Sequence, residues 1–204
     1  MMGFQDDFPR GKLPIEDWVL LVIDNMPDKT LRERHNFQNK MYFLSVLCKT
    51  NFDFGPHYFG PYSTLIANAI DMMTHLDFLK EIREKLPNHL VNLLGDRYSF
   101  IYEMADDGKV VMPEIYEQAE SIGCVSVIKD VIAKTQDVEP KIQSSACKCH
   151  YAVYYQRSFD ITPKLMKQIM KGWTSHNIEY KDMSKVIALL ESLGLDRRDY
   201  DKRS

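Results

Sequence analysis

Phe54-Gly-Pro-His-Tyr-Phe-Gly-Pro-Tyr-Ser63 interrupts two apolar helical stripes, one running from Phe37 to Cys48 and the other from Leu65 to Met73. Neither Gly-Pro pair fits inside a helix: proline has no N–H to donate, and glycine loses more backbone freedom on ordering than any other residue. Gly55-Pro56 and Gly60-Pro61 therefore punctuate the chain, with His57-Tyr58-Phe59 as a short extended tripeptide between them. The decapeptide reads as the joint between two helices of one small domain.

Upstream of the joint, Ile15, Trp18, Val19, Val22, Ile23 and Met26 mark one face of a helix that Pro27 stops. Phe37, Met41, Leu44 and Cys48 mark a second, reached through a basic connector from Lys29 to His35. Downstream, Ser63 reads as a helix cap, followed by Leu65, Ile66, Ala69, Ile70, Met72 and Met73 at helical spacing. Leu79 and Ile82 belong to a mixed segment. Tyr98–Met104 alternates as a strand, and Ala105-Asp-Asp-Gly108 reads as a turn before a helix that begins near Pro113. Helix, helix, short strand, helix, strand and turn make a winged helix-turn-helix order. The second half is helical, over 122–133, 138–155, 163–173 and 183–193. The expectation is a mainly α protein: a winged helix-turn-helix-like domain with a small β-hairpin over residues 1–118, then a helical bundle over 119–204.

With 204 residues, 45% of them apolar and 27% charged, the chain can bury a sizeable core. A formal charge of −3 provides no global attraction to phosphate or anionic lipid. No run of 18 apolar residues is present and the first ten residues are acidic, so the expectation is a cytoplasmic protein without a membrane partner. Cys48, Cys124, Cys147 and Cys149 are few and irregularly spaced, which fits reduced thiols.

Phe37-Gln-Asn-Lys-Met-Tyr-Phe-Leu44 followed by Gly55-Pro-His-Tyr-Phe-Gly-Pro-Tyr-Ser63 resembles the signature of the YwgA-like proteins of bacteria and archaea. These are distantly similar to Panacea/SocA-type antitoxins and proteolytic adaptors. Gln38, Lys40, Tyr42, Tyr58, Gly60, Pro61 and Tyr62 carry the match, and Lys185–Leu195 resembles the closing helix. Asn39 separates Gln38 from Lys40 where the related pattern often has them adjacent. The resemblance implies a winged-helix-like fold and no established reaction.

Chemical motifs are sparse. Cys147-Lys-Cys-His150 suggests zinc, but on one helix Cys147 and Cys149 project about 200° apart, and a Cys147–His150 pair is only half a site. Buried structural cysteines are the plainer reading. No Gly-x-Ser-x-Gly, His-Glu-x-x-His, phosphate loop or dinucleotide fingerprint occurs, so no catalytic, cofactor or metal residue is assigned.

Tyr58, Phe59 and Tyr62 read first as a plug between helices. The functional alternative places them, with His57, along a groove for a protein partner, bordered by Gln38 and Lys40 with Tyr42 nearby. For Lys40 alone a solvated side chain is the default. A recognition helix over 63–76 would contain no Lys or Arg, and the expected wing tip carries Asp106 and Asp107. The remaining basic surface is Lys29, Arg32, Arg34 and His35. Two readings survive: a non-catalytic regulatory or adaptor protein that binds another protein or a second copy of itself, and a DNA-binding regulator that uses the connector together with the basic tail Arg197–Arg203. An enzyme assembled only in three dimensions is the remote third.

Overall fold

The computed structural model describes residues 13–57, 60–85, 98–156 and 180–196. Tyr58, Phe59, the expected helix 163–173 and the basic tail 197–203 lie outside the described residues. Among those described, the elements run α1 (Ile15–Asn25), β1 (Thr30–Arg32), α2 (Arg34–Leu47), α3 (Thr64–His75), β2 (Leu79–Lys85), β3 (Tyr98–Met104), α4 (Asp106–Ser121), α5 (Cys124–Thr135), α6 (Pro140–Gln156) and α7 (Tyr180–Ser192). The protein is mainly helical, with one small antiparallel sheet in the order β1-β3-β2.

In α1 six successive residues, Trp18 to Ile23, are buried. A helix apolar all round must be covered all round, and α3, α4 and α5 supply the cover. Glu16 and Asp17 lie in its first turn, where carboxylates suit the helix dipole. Met26 turns extended ahead of Pro27, as the sequence anticipates. In α2 burial is unbroken from Phe37 to Ser45 because α5 and α6 pack on it as well as β1. Lys40 is consequently only 5% exposed, so the solvated-lysine reading is corrected. Helical periodicity shows which residues are apolar, but a later helix that covers the polar side of α2 leaves no mark in this segment.

Ser63 caps α3: its side chain accepts from the Ile66 N–H at 3.3 Å and donates to the Phe52 carbonyl. The mixed segment after it is strand β2, paired with β3 from Leu79 opposite Met104 to Lys85 opposite Tyr98.

The Ala105–Gly108 turn is a second correction. Ala105 is the extended N-cap of α4, and Asp106 and Asp107 occupy its first turn, so they form no wing tip. Two adjacent acids before an apolar run suit a helix N-terminus as well as a turn. Gly108 is required by close approach, since a Cβ there would lie 2.5 Å from the Phe78 carbonyl oxygen. Pro113, expected near the helix start, stands exposed inside α4.

One hydrophobic cluster runs from Leu13 to Leu195 and joins α1, α2 and α3 to α5, α6 and α7. Helix α6 packs against α2 and α7. That explains how Cys147 and Cys149, on different sides of the helix, are both fully buried free thiols.

Candidate functional site

The joint between α2 and α3 is closed by a two-residue bridge. Gly55 and Tyr62 exchange N–H···O bonds of 2.9 Å each. Gly60, at φ +134°, passes so close to α2 that a Cβ would lie 2.9 Å from Asn39 Oδ1. Only glycine combines that backbone with that approach. The Gln38 amide then imitates a peptide group, donating to the Ser63 carbonyl at 2.9 Å and accepting the Ser63 N–H at 3.0 Å. The start of α3 is thereby fixed to α2.

The sequence-nominated residues divide at this joint. Gln38, Lys40 and Tyr42 point into the interior. Lys40 Nζ donates to Gln143 Oε1 at 3.2 Å, and burial draws its pKa down while nearby Cys147 opposes the shift. Tyr42 Oη lies 2.8 Å from His150 Nδ1, and burial lowers the imidazole to about 4. Gln143 donates onward to the carbonyls of Thr135 and Val138. This buried polar seam between α2 and α6 orients the two helices and presents no open face. His57 is exposed and Tyr62 half-buried, their rings 5.0 Å apart; Tyr58 is outside the described residues.

The basic connector becomes β1 and the start of α2, and its lysine and arginines each meet a carboxylate. Lys29 pairs with Asp24 at 3.0 Å and Arg32 with Asp28 at 3.3 Å and Glu84 at 3.6 Å, while His35 stands 3.5 Å from Glu33 and burial draws its imidazole pKa down against that carboxylate. Arg34 bonds Asp71 of α3 and, through Nε at 2.9 Å, the hydroxyl of Tyr102, which reaches Glu81 Oε2 at 3.0 Å. Cations already balanced by carboxylates attract a polyanion less than their number suggests.

The outer face of α3 is different. Leu65 is 47% exposed, Met72 44% and Leu76 52%. They share a stripe about 100° round the helix from the core-facing Ile66, Ile70 and Met73. Beside the stripe lies a cleft of about 390 Å³. Trp18 and Phe52, packed edge to face at 5.7 Å, form part of its lining, as do Leu65, Ala69 and Met72. Its volume is in the range of sites that hold a small molecule or a few anchoring side chains. The thiols of Cys48 and Cys124 also line it, and burial pushes both pKa values up, so they contribute apolar surface more than nucleophiles.

Sequence reasoning counted Leu65 and Met72 in one apolar set with the core residues. The available signal was the width of that set: two stripes 100° apart exceed what a single buried seam needs. Trp18 and Cys124 gave no local sign that they share a cleft.

Among the described residues no three His, Cys, Asp or Glu side chains converge as metal ligands, and no helix is long and apolar enough to cross a membrane. The sequence matches no protein-family model, and no curated protein matches it significantly.

Proposed function

We propose that this protein is a non-catalytic regulatory or adaptor module that binds a protein partner through the outer face of α3 and the adjoining cleft. The element order α1-β1-α2-α3-β2-β3 with the sheet order β1-β3-β2 supports a winged-helix-like scaffold, in keeping with the YwgA-like resemblance. In such a scaffold α3 occupies the position of the recognition helix. The observation that carries the reading is the chemistry of that helix: Leu65, Met72 and Leu76 exposed in a row, with no Lys or Arg from Thr64 to His75. Apolar side chains on an exposed stripe are stabilised by a protein surface and gain nothing from phosphates. The acid-paired connector supports the same preference.

Fluorescence anisotropy against random-sequence duplex DNA, repeated over a salt series, tests it. The expected result is no binding at tens of micromolar protein at any salt. Micromolar binding that weakens steeply with salt and is lost in R32E would replace the protein-binding reading with the DNA-binding one.

A further inference from the structure

We propose that this protein forms a symmetric dimer by joining the outer edge of β2 to the same edge of a second copy, antiparallel and centred on Ile82. The dimer is independent of what covers α3.

The backbone supplies the edge. In the sheet order β1-β3-β2, strand β3 pairs with β1 and β2, and among the described residues no strand pairs with the far side of β2. The Ala105 N–H bonds the Phe78 carbonyl at 3.0 Å, just beyond the Leu79–Met104 pair, and that bond sets the phase of the ladder. Peptide groups alternate in direction along a strand, so Lys80, Ile82 and Glu84 turn theirs toward β3 while Glu81, Arg83 and Lys85 turn theirs outward. No described segment takes up those outward groups. The side chains leave the edge open as well: Lys80, Arg83, Glu84 and Lys85 are exposed, and Glu81 and Ile82 are half-buried. Unpaired peptide groups along a seven-residue strand are a template for another strand.

The charges supply the partner and the register. Outward peptide groups must oppose outward peptide groups, which restricts antiparallel self-pairing to registers centred on a residue. Centring on any charged residue of the strand sets that residue against its own copy, like charge on like charge. Centring on Ile82 sets isoleucine on isoleucine, Lys80 on Glu84 of the second copy and Glu81 on Arg83 of the second copy, with no like charges directly opposed. Charged edges ordinarily repel a copy, whereas this one complements itself. Arg83 and Glu81 already pair within the strand at 3.2 Å, so the ion pairs select the register, and the backbone bonds with the Ile82 contact supply most of the attraction. The other edge, β1, is three residues long. Pairing β1 with β2 of a second copy would leave edges open to further copies, while β2 on β2 closes after two.

Sedimentation equilibrium of the full chain up to about 500 micromolar is expected to show a reversible monomer–dimer equilibrium with a Kd of about 10–300 micromolar, the weak range of a small interface. R83P removes an outward N–H without touching the β3 ladder, and is expected to raise Kd at least about tenfold with the circular dichroism unchanged. E84K, at an exposed position, raises it about tenfold by opposing like charges, and K80E/E84K restores it to within about threefold of wild type. Cross-linking reads the register: diamide oxidation yields a disulfide-linked dimer from I82C, whose two copies face each other, and none from K80C or the wild-type chain. A monomer at about 500 micromolar, a dimer that R83P and E84K leave intact, equal cross-linking of K80C and I82C, or assembly that continues past two copies would each overturn the proposal. The DNA titration above succeeds or fails independently of all four.

Discussion

His150 makes the stability of this fold depend on pH, with a sign and size that follow from its surroundings. It lies in α6 with Nδ1 2.8 Å from the Tyr42 hydroxyl, and the rings of Phe54 and Tyr151 also pack on Tyr42. Burial holds its pKa near 4, against 6.5 for an unhindered imidazole. Between those values the unfolded chain binds a proton that the folded chain refuses, so stability is complete above pH 6.5 and falls as pH drops toward 4. The gap corresponds to about 3 kcal/mol, with about 2 kcal/mol of it lost by pH 5. Urea unfolding followed by tryptophan fluorescence at pH 7, 6 and 5 measures this, with H150Q as the control that cannot titrate. The variant starts less stable at pH 7, yet its stability declines about 2 kcal/mol less by pH 5. Wild-type and variant curves parallel to within about 0.5 kcal/mol would refute the reasoning, because a buried neutral histidine cannot be replaced without changing the slope.

Two further substitutions probe the scaffold. G108A drives a methyl group into the Phe78 carbonyl and Met104, and is expected to lower stability by about 3 kcal/mol in thermal unfolding, while G55A, with open space around it, changes stability by less than about 0.5 kcal/mol. Q38L takes the amide away from the Ser63 N–H and carbonyl and leaves the carbonyl with the Ala67 N–H at 3.3 Å, so a loss of about 1–3 kcal/mol in urea unfolding is expected; a loss below about 0.5 kcal/mol would show that water replaces the amide.

Local signals carried much of the fold. Pro27 and Ser63 mark helix boundaries through chemistry confined to a few residues, and the alternation of Tyr98–Met104 survives as β3. What depended on distant partners was illegible. Lys40 looked solvated because the helix that buries it begins a hundred residues later, at Pro140. Asp106-Asp107-Gly108 looked like a turn because its meaning lies in the Phe78 carbonyl against which Gly108 packs. The connector cations were visible, but Asp71 and Glu84, which balance two of them, come from elements 37 and 52 positions away. The exposed stripe on α3 was visible as composition and hidden as geometry, since Leu65 and Ile66 are equally apolar and only the packing of α1 decides which one faces inward.

Arg34 has a mechanical consequence. Its guanidinium bonds Asp71 on α3 and Tyr102 on β3, and the Tyr102 hydroxyl continues to Glu81 on β2. One side chain at the start of α2 thus acts as a rivet through four elements. A load applied to α3 therefore passes directly into β2 and β3 through a single guanidinium.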